Sequence, residues 1–142
     1  MDKEITNKKL KINKLSMTSS LAEINEKSLY LKIKNFLTSS KLNFEDEYEI
    51  QTNTVDKIFE NINLQKSLLK IDVEGFEINV IEGSKIKLKE IPFVLLENQF
   101  GNHYKDNNFK DIIEFLSKQN FEICKKFIFP TLHYQDVLFK KI

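Results

Sequence analysis

Cysteine, proline and glycine are all scarce in this 142-residue chain, which holds one Cys, two Pro and three Gly. The lone Cys124 excludes an internal disulfide and leaves no cysteine spacing for a metal ion, so a reducing, cytoplasmic setting is the expectation. With so little Pro and Gly, and with 41% hydrophobic and 11% aromatic residues, the composition is that of a packed globule rather than a disordered segment. A chain of this length suits one domain, which on folding buries roughly 70% of the surface its unfolded form exposes.

An excess of either charge is lacking too. Lys and Arg total 22 against 21 Asp and Glu, and the resulting net charge of +1 creates no field to draw nucleic acid or an anionic membrane. Lys87, Lys89, Lys125 and Lys126 read as solvated faces, with no interleaved aromatics on which bases would stack. No apolar run approaches the ~18 residues that span a bilayer, and Met1-Asp2-Lys3-Glu4 lacks the apolar stretch of a signal peptide. Neither a nucleic-acid nor a membrane partner is expected. No internal repeat or linker divides residues 1–142, so they are taken as a single domain.

What is present is patterned. Leu10, Ile12 and Leu15 suggest a short strand before the Ser-rich run Ser16-Met17-Thr18-Ser19-Ser20. Leu29, Ile33, Phe36 and Leu37 fall at helical spacing, although Tyr30 and Leu31 would suit a strand as well. Tyr48 to Thr52 alternates like a half-buried strand, and Thr54 is placed to cap a helix carrying Val55, Ile58, Phe59 and Ile62. Ser67 to Val73 and Phe93 to Leu96 are compact apolar runs that end in acids, Asp72 and Glu97, and read as two buried parallel strands. Between them a short helix is expected from Phe76, Ile78, Val80 and Ile81, with Gly83 ending it in a left-handed conformation. Phe109 to Lys118 forms an amphipathic helix, and Phe121–Lys125 and Val137–Phe139 a closing antiparallel pair.

The segment Leu69-Lys70-Ile71-Asp72-Val73-Glu74-Gly75-Phe76-Glu77 resembles the most characteristic motif of FkbM-type methyltransferases. Thr54-Val55-Asp56-Lys57-Ile58, Val80-Ile81-Glu82-Gly83 and Phe93-Val94-Leu95-Leu96-Glu97 resemble the family's flanking steps, so that about residues 47–142 carry the match. The resemblance implies an α/β fold, a partial class I (Rossmann-like) doubly wound sheet, mostly parallel with an antiparallel C-terminal strand. It also implies S-adenosylmethionine as cofactor and a hydroxyl on a glycan or secondary metabolite as methyl acceptor. The family opens with a glycine-rich turn and then an acid that holds the cofactor's ribose. With Gly75, Gly83 and Gly101 as its three glycines, this sequence has no Gly-x-Gly turn. The expectation is therefore an N-terminally truncated domain without the cofactor-binding βα units, unable by itself to hold the cofactor tightly. Its missing strands would leave a sheet edge open to self-association. A competing expectation is a non-catalytic remnant or interaction module that keeps the second half of the fold.

Methyl transfer to a hydroxyl needs alignment and a proton acceptor, and in open α/β sheets ligands sit beyond the carboxyl ends of the strands. Asp72 and Glu74 are the catalytic candidates, and Glu97, Asn98 and His103 the acceptor-binding ones. Each has a plainer reading: acids ahead of a helix cap its N–H groups, as is expected of Glu77, polar pairs mark strand ends, and a loop His is usually solvated. Ser19 and Ser20 are weak candidates for cofactor contact. Asp72, Glu74 and Glu97 are chemically suited to Mg²⁺, but their spacing is not a dedicated ligand pattern, and no metal is expected.

Overall fold

In the computed structural model the described residues are 1–13, 20–23, 44–99, 104, 108–128 and 134–142. Strands β1 (Asn7–Asn13) and β2 (Phe44–Gln51) form an antiparallel pair, Asn7 opposite Gln51 and Leu10 opposite Tyr48. Helix α1 (Val55–Ile58) leads to β3 (Leu68–Ile71), α2 (Glu77–Glu82), a 3-10 turn (Lys87–Lys89) and β4 (Phe93–Gln99). Helix α3 (Phe109–Lys118), β5 (Phe121–Ile128) and β6 (Tyr134–Lys141) complete the chain. The segment carrying Leu29, Ile33, Phe36 and Leu37 lies outside the described residues.

The main sheet has four strands in the order β3-β4-β6-β5 and is mixed: β3 and β4 are parallel, while β6 runs antiparallel to both β4 and β5. The fold is thus mixed α/β, with the neighbouring parallel pair and the antiparallel closing pair in the places that the sequence pattern indicates. Burial differs from expectation. Along β4 and β6 it alternates, with Val94, Leu96, Val137 and Phe139 buried and Leu95 and Leu138 only half-buried. The registers Leu69–Val94–Phe139 and Ile71–Leu96–Val137 put the buried set on one face. Against it pack Val80 and Ile81 of α2 and Ile112 and Leu116 of α3, with the Phe109 and Phe139 rings 6.3 Å apart. Among the described residues strand β3 pairs with β4 alone, and Leu68 is 53% exposed and Lys70 in solvent. A compact apolar run thus marks an edge strand here, because tertiary neighbours and not composition decide how many faces are covered.

The caps follow local chemistry. Thr54 Oγ1 accepts from the Lys57 N–H at 3.0 Å, the N-cap bond anticipated for that threonine, but α1 stops at Ile58, and Ile62 lies exposed beyond it. Asn108 caps α3 by accepting from the Lys110 N–H, and the helix leaves through Asn120 in the left-handed region at φ 62°. The Asp56 carboxylate takes the N–H groups of Ile86 and Lys87, so it is a cap for the 3-10 turn thirty residues on. None of the described helices is long and apolar enough to cross a membrane.

Gly83 departs from expectation in an informative way. Its φ is −78°, open to any residue, so no left-handed turn requires glycine there. What requires it is space: a Cβ would lie 2.0 Å from the backbone oxygen of Asp2. The N-terminal segment is drawn onto the end of α2 by Asp2, which is 0% exposed. Its carboxylate accepts from the Lys3 N–H at 2.7 Å, pairs with Lys8 Nζ at 3.0 Å and meets Thr52 Oγ1 and Asn79 Nδ2 at 3.3 and 3.4 Å. A buried carboxylate survives only with such compensation. Gly83→Ala should therefore cost about 1–3 kcal/mol as the inserted methyl displaces the Asp2 backbone. Urea unfolding measures this, and a variant as stable as the parent would mean that the segment is not held against Gly83.

Candidate functional site

The chain leaves β3 at Ile71 and enters α2 at Glu77 through a turn in which Glu74 has φ 50° and Gly75 φ 91°. A left-handed non-glycine residue is unfavourable by about 1–2 kcal/mol, so the surroundings must hold it. They do so from three sides. Ser20 Oγ donates to the Glu74 carbonyl oxygen at 2.6 Å, and the Gly75 N–H donates to Glu77 Oε1 at 3.0 Å. The Tyr104 ring lies over Gly75 so closely that a Cβ would stand 2.1 Å from its Cγ. Gly75 is required both by φ and by this contact.

The turn sends the Glu74 carboxylate toward β4, where Glu74 Oε2 accepts from Gln99 Nε2 at 2.7 Å and from the Tyr104 hydroxyl at 3.0 Å. Gln99 Nε2 also donates to Glu97 Oε1 at 3.1 Å. Asp72, beyond the end of β3, pairs through Oδ2 with Lys70 Nζ at 2.9 Å. One oxygen from each of Asp72, Glu74 and Glu97 falls within 4.8 Å of the others, a spacing that would allow a divalent cation. Among the described residues, Asp72 Oδ1 and Glu97 Oε2 carry no hydrogen bond.

Concentrated negative charge has electrostatic consequences. Burial pushes the Glu97 carboxyl above its ordinary 4.5, against the lowering effect of the Gln99 hydrogen bond, and the charges of Asp72, Glu74 and Asp136 push it further. Burial also raises the Tyr104 phenol, with the neighbouring Glu74 carboxylate adding to it. Lys70 is raised by its bond to Asp72 and supplies the compensating positive charge.

Of the residues singled out from the sequence, Asp72, Glu74 and Glu97 meet at the carboxyl end of the parallel pair. Asn98 does not join them. Strand β4 extends to Gln99, so Glu97 and Asn98 point to opposite faces, Glu97 opposite Asp136 and Asn98 opposite Gln135. His103 and Ser19 lie outside the described residues. Ser20 is 2% exposed, with its hydroxyl engaged by Glu74 and by the Ala22 N–H. Gln99 and Tyr104 were not anticipated. Period-2 alternation from Glu97 would have found Gln99 had the strand been extended, whereas Tyr104 carries no local signal. A cavity of about 370 Å³, lined by Glu60, Asn63, Gln65, Lys87 and Glu90 among others, opens at the opposite end, where the chain enters β3 and β4.

A family model described as the methyltransferase FkbM domain matches residues 6–123, a span that contains the left-handed turn and all three carboxylates. No curated protein and no solved structure matches the chain.

The raised Glu97 carboxyl makes a pH prediction with a definite sign. A carboxyl whose folded pKa lies above its unfolded value stabilises the fold fully below the unfolded pKa, and this contribution is lost as pH rises through the folded pKa. Glu97→Gln, neutral throughout, should therefore be more stable relative to the parent at about pH 7 than at about pH 4. Urea unfolding at the two pH values tests it, and an equal difference at both would show that ionisation of Glu97 is not opposed by folding.

Proposed function

Because this chain belongs to the FkbM methyltransferase domain family, we propose that its three-carboxylate cluster forms the acceptor side of an S-adenosylmethionine-dependent O-methyltransferase site. The observation that carries the reading is the convergence of Asp72, Glu74 and Glu97 beyond the ends of two parallel strands, where α/β sheets bind ligands. The acceptor is a hydroxyl on a glycan or secondary metabolite, a small polar group that open carboxylate oxygens can hold and deprotonate. When bound, the cofactor supplies an activated methyl group, so the residues here have to orient the hydroxyl and take its proton. Glu97 suits the proton acceptor, since burial and neighbouring charge raise its proton affinity. Asp72 presents Oδ1 to an adjacent hydroxyl, while Glu74, held by Gln99 and Tyr104, fixes the geometry between them.

The residues present do not fit the cofactor itself. A nucleoside is held in this architecture by backbone N–H groups at glycines. Here the Tyr104 ring fills the space at Gly75, and the Asp2 backbone fills that at Gly83. We therefore read the sheet as part of a doubly wound, Rossmann-like fold, and infer that tight cofactor binding needs a glycine-rich βα unit that these 142 residues do not contain. The exposed free thiol of Cys124 suits a reducing, cytoplasmic compartment.

A second reading, a non-catalytic module that self-associates, is favoured by one feature. Among the described residues strands β3 and β5 each have a single neighbour in the sheet, and β5 is exposed from Glu122 to Ile128. Calorimetric titration separates the two. The chain alone is expected to show no low-micromolar binding of S-adenosylmethionine, since the loss of several hydrogen bonds at ~1 kcal/mol each lowers affinity by orders of magnitude. Low-micromolar binding by a monomer would overturn the inference about the missing unit. With a glycine-rich βα unit joined to it, the chain is expected to transfer labelled methyl groups to hydroxyl acceptors, and Glu97→Gln to lower kcat about 10²–10⁴-fold. Absence of transfer by the joined protein, with concentration-dependent dimerisation in the ultracentrifuge, would favour the second reading.

A further inference from the structure

The Glu74–Gly75 peptide unit is pinned at both of its polar ends. Its carbonyl oxygen accepts from Ser20 Oγ at 2.6 Å, and its N–H donates to Glu77 Oε1 at 3.0 Å. Rotation of that unit changes the ψ of Glu74 and the φ of Gly75 together, and Gly75 adopts either sign of φ readily. Backbone preference by itself therefore keeps neither Gly75 at φ 91° nor Glu74 at φ 50°. Without the Ser20 bond to its carbonyl, Glu74 would relax from φ 50° toward the ordinary negative-φ region, and that rotation would redirect its Cα–Cβ bond and the carboxylate it carries.

Ser20 is built for the carbonyl end. Its own N–H donates to the Lys11 carbonyl at 3.2 Å and its carbonyl accepts from the Lys11 N–H at 3.1 Å, which anchors it to β1. Its hydroxyl has one proton, directed at Glu74 O, while its oxygen accepts from the Ala22 N–H at 2.9 Å. Donor and acceptor are both engaged, so the hydroxyl cannot rotate away without leaving a buried group unpaired.

We propose that Ser20 is a positioning residue whose hydroxyl, by holding the Glu74 carbonyl, keeps Glu74 in the left-handed conformation that delivers its carboxylate to Gln99 and Tyr104. It acts through Glu74 from 54 residues away in sequence and touches no reacting group itself. The consequence is chemical as well as structural, because the carboxylate it positions stands beside Asp72 and Glu97. This rests on the functional reading of the cluster, but its test does not depend on methyl transfer, so either can fail alone.

The Tyr104 phenol reports the position of Glu74. It donates to Glu74 Oε2, and its ionisation is pushed up by burial, by Glu74, and by the charges of Glu77 and Glu97. The experiment is a pH titration followed by NMR on protein labelled with ¹³C at the tyrosine Cζ, with Tyr104→Phe used to assign the signal and circular dichroism to check folding. In the parent and in Ser20→Thr, which keeps the hydroxyl, Tyr104 should ionise above the ordinary phenol value of about 10. In Ser20→Ala its ionisation should move down toward the ordinary phenol value of about 10, as in Glu74→Gln. Should Ser20→Ala not fold, Ser20→Cys, of similar size but weaker in hydrogen bonding, provides the same reading with a smaller downward shift. A folded Ser20→Ala or Ser20→Cys whose Tyr104 titrates as in the parent would overturn the proposal. So would Ser20→Thr behaving like Ser20→Ala.

Discussion

The left-handed Glu74–Gly75 turn is the constraint on which the rest of the site depends. It has to carry the chain from the end of β3 into α2 within five residues, and it does so with two successive positive φ values, one of them on a glutamate. Such a conformation is unfavourable in isolation and is held by contacts from elsewhere: a serine hydroxyl near β1, a tyrosine ring from beyond β4, and the first residue of α2. Those contacts also aim the Glu74 carboxylate back over the strand ends. One strained turn thus links local backbone geometry to the chemistry of the cluster.

That dependence gives the N-terminal strand pair a role beyond its own hydrogen bonds. Residue Ser20 reaches the turn because it is bridged to Lys11, and β1 itself is drawn onto the protein through Lys8 and the buried Asp2 beside Gly83. The absent side chain of Gly83 makes room for the Asp2 backbone, while the Asp2 carboxylate ties the segment down. A larger residue at 83 would push the N-terminal segment off α2, and loss of the Asp2 carboxylate would leave a partly buried Lys8 without its partner. Anchoring of the N-terminal strand pair and ordering of the carboxylates are consequently coupled.

The cluster is electrostatically demanding, and the structure meets that demand unevenly. Lys70 offsets Asp72 at the surface, and neutral donors from Gln99 and Tyr104 serve Glu74, while Glu97 accepts from Gln99 and faces Asp136 across the strand pair. The unrelieved repulsion and burial fall on Glu97, the carboxyl whose proton affinity is raised. Perturbed carboxyls of this kind concentrate at functional sites, and the proposed role of the cluster in holding a hydroxyl draws on that property.

The element order, the parallel β3–β4 pair, the amphipathic α3 and the closing antiparallel strands were legible in the sequence, because hydrophobic period and capping residues are local and leave their mark along the chain. The convergence of Asp72 with Glu97 was legible too, since both follow apolar runs that a single helix joins into neighbouring strands. What the sequence alone could not decide was set by contacts between distant segments. That β3 lies at an edge with Leu68 exposed, that Gly83 is needed for space and not for its φ, and that Asp56 caps a turn thirty residues away all depend on which segments become neighbours. The same holds for Gln99, Tyr104 and Ser20. Periodicity can place a residue on a face, but only tertiary packing brings a hydroxyl from residue 20 to the carbonyl of residue 74, and Gln99 and Tyr104 to its carboxylate.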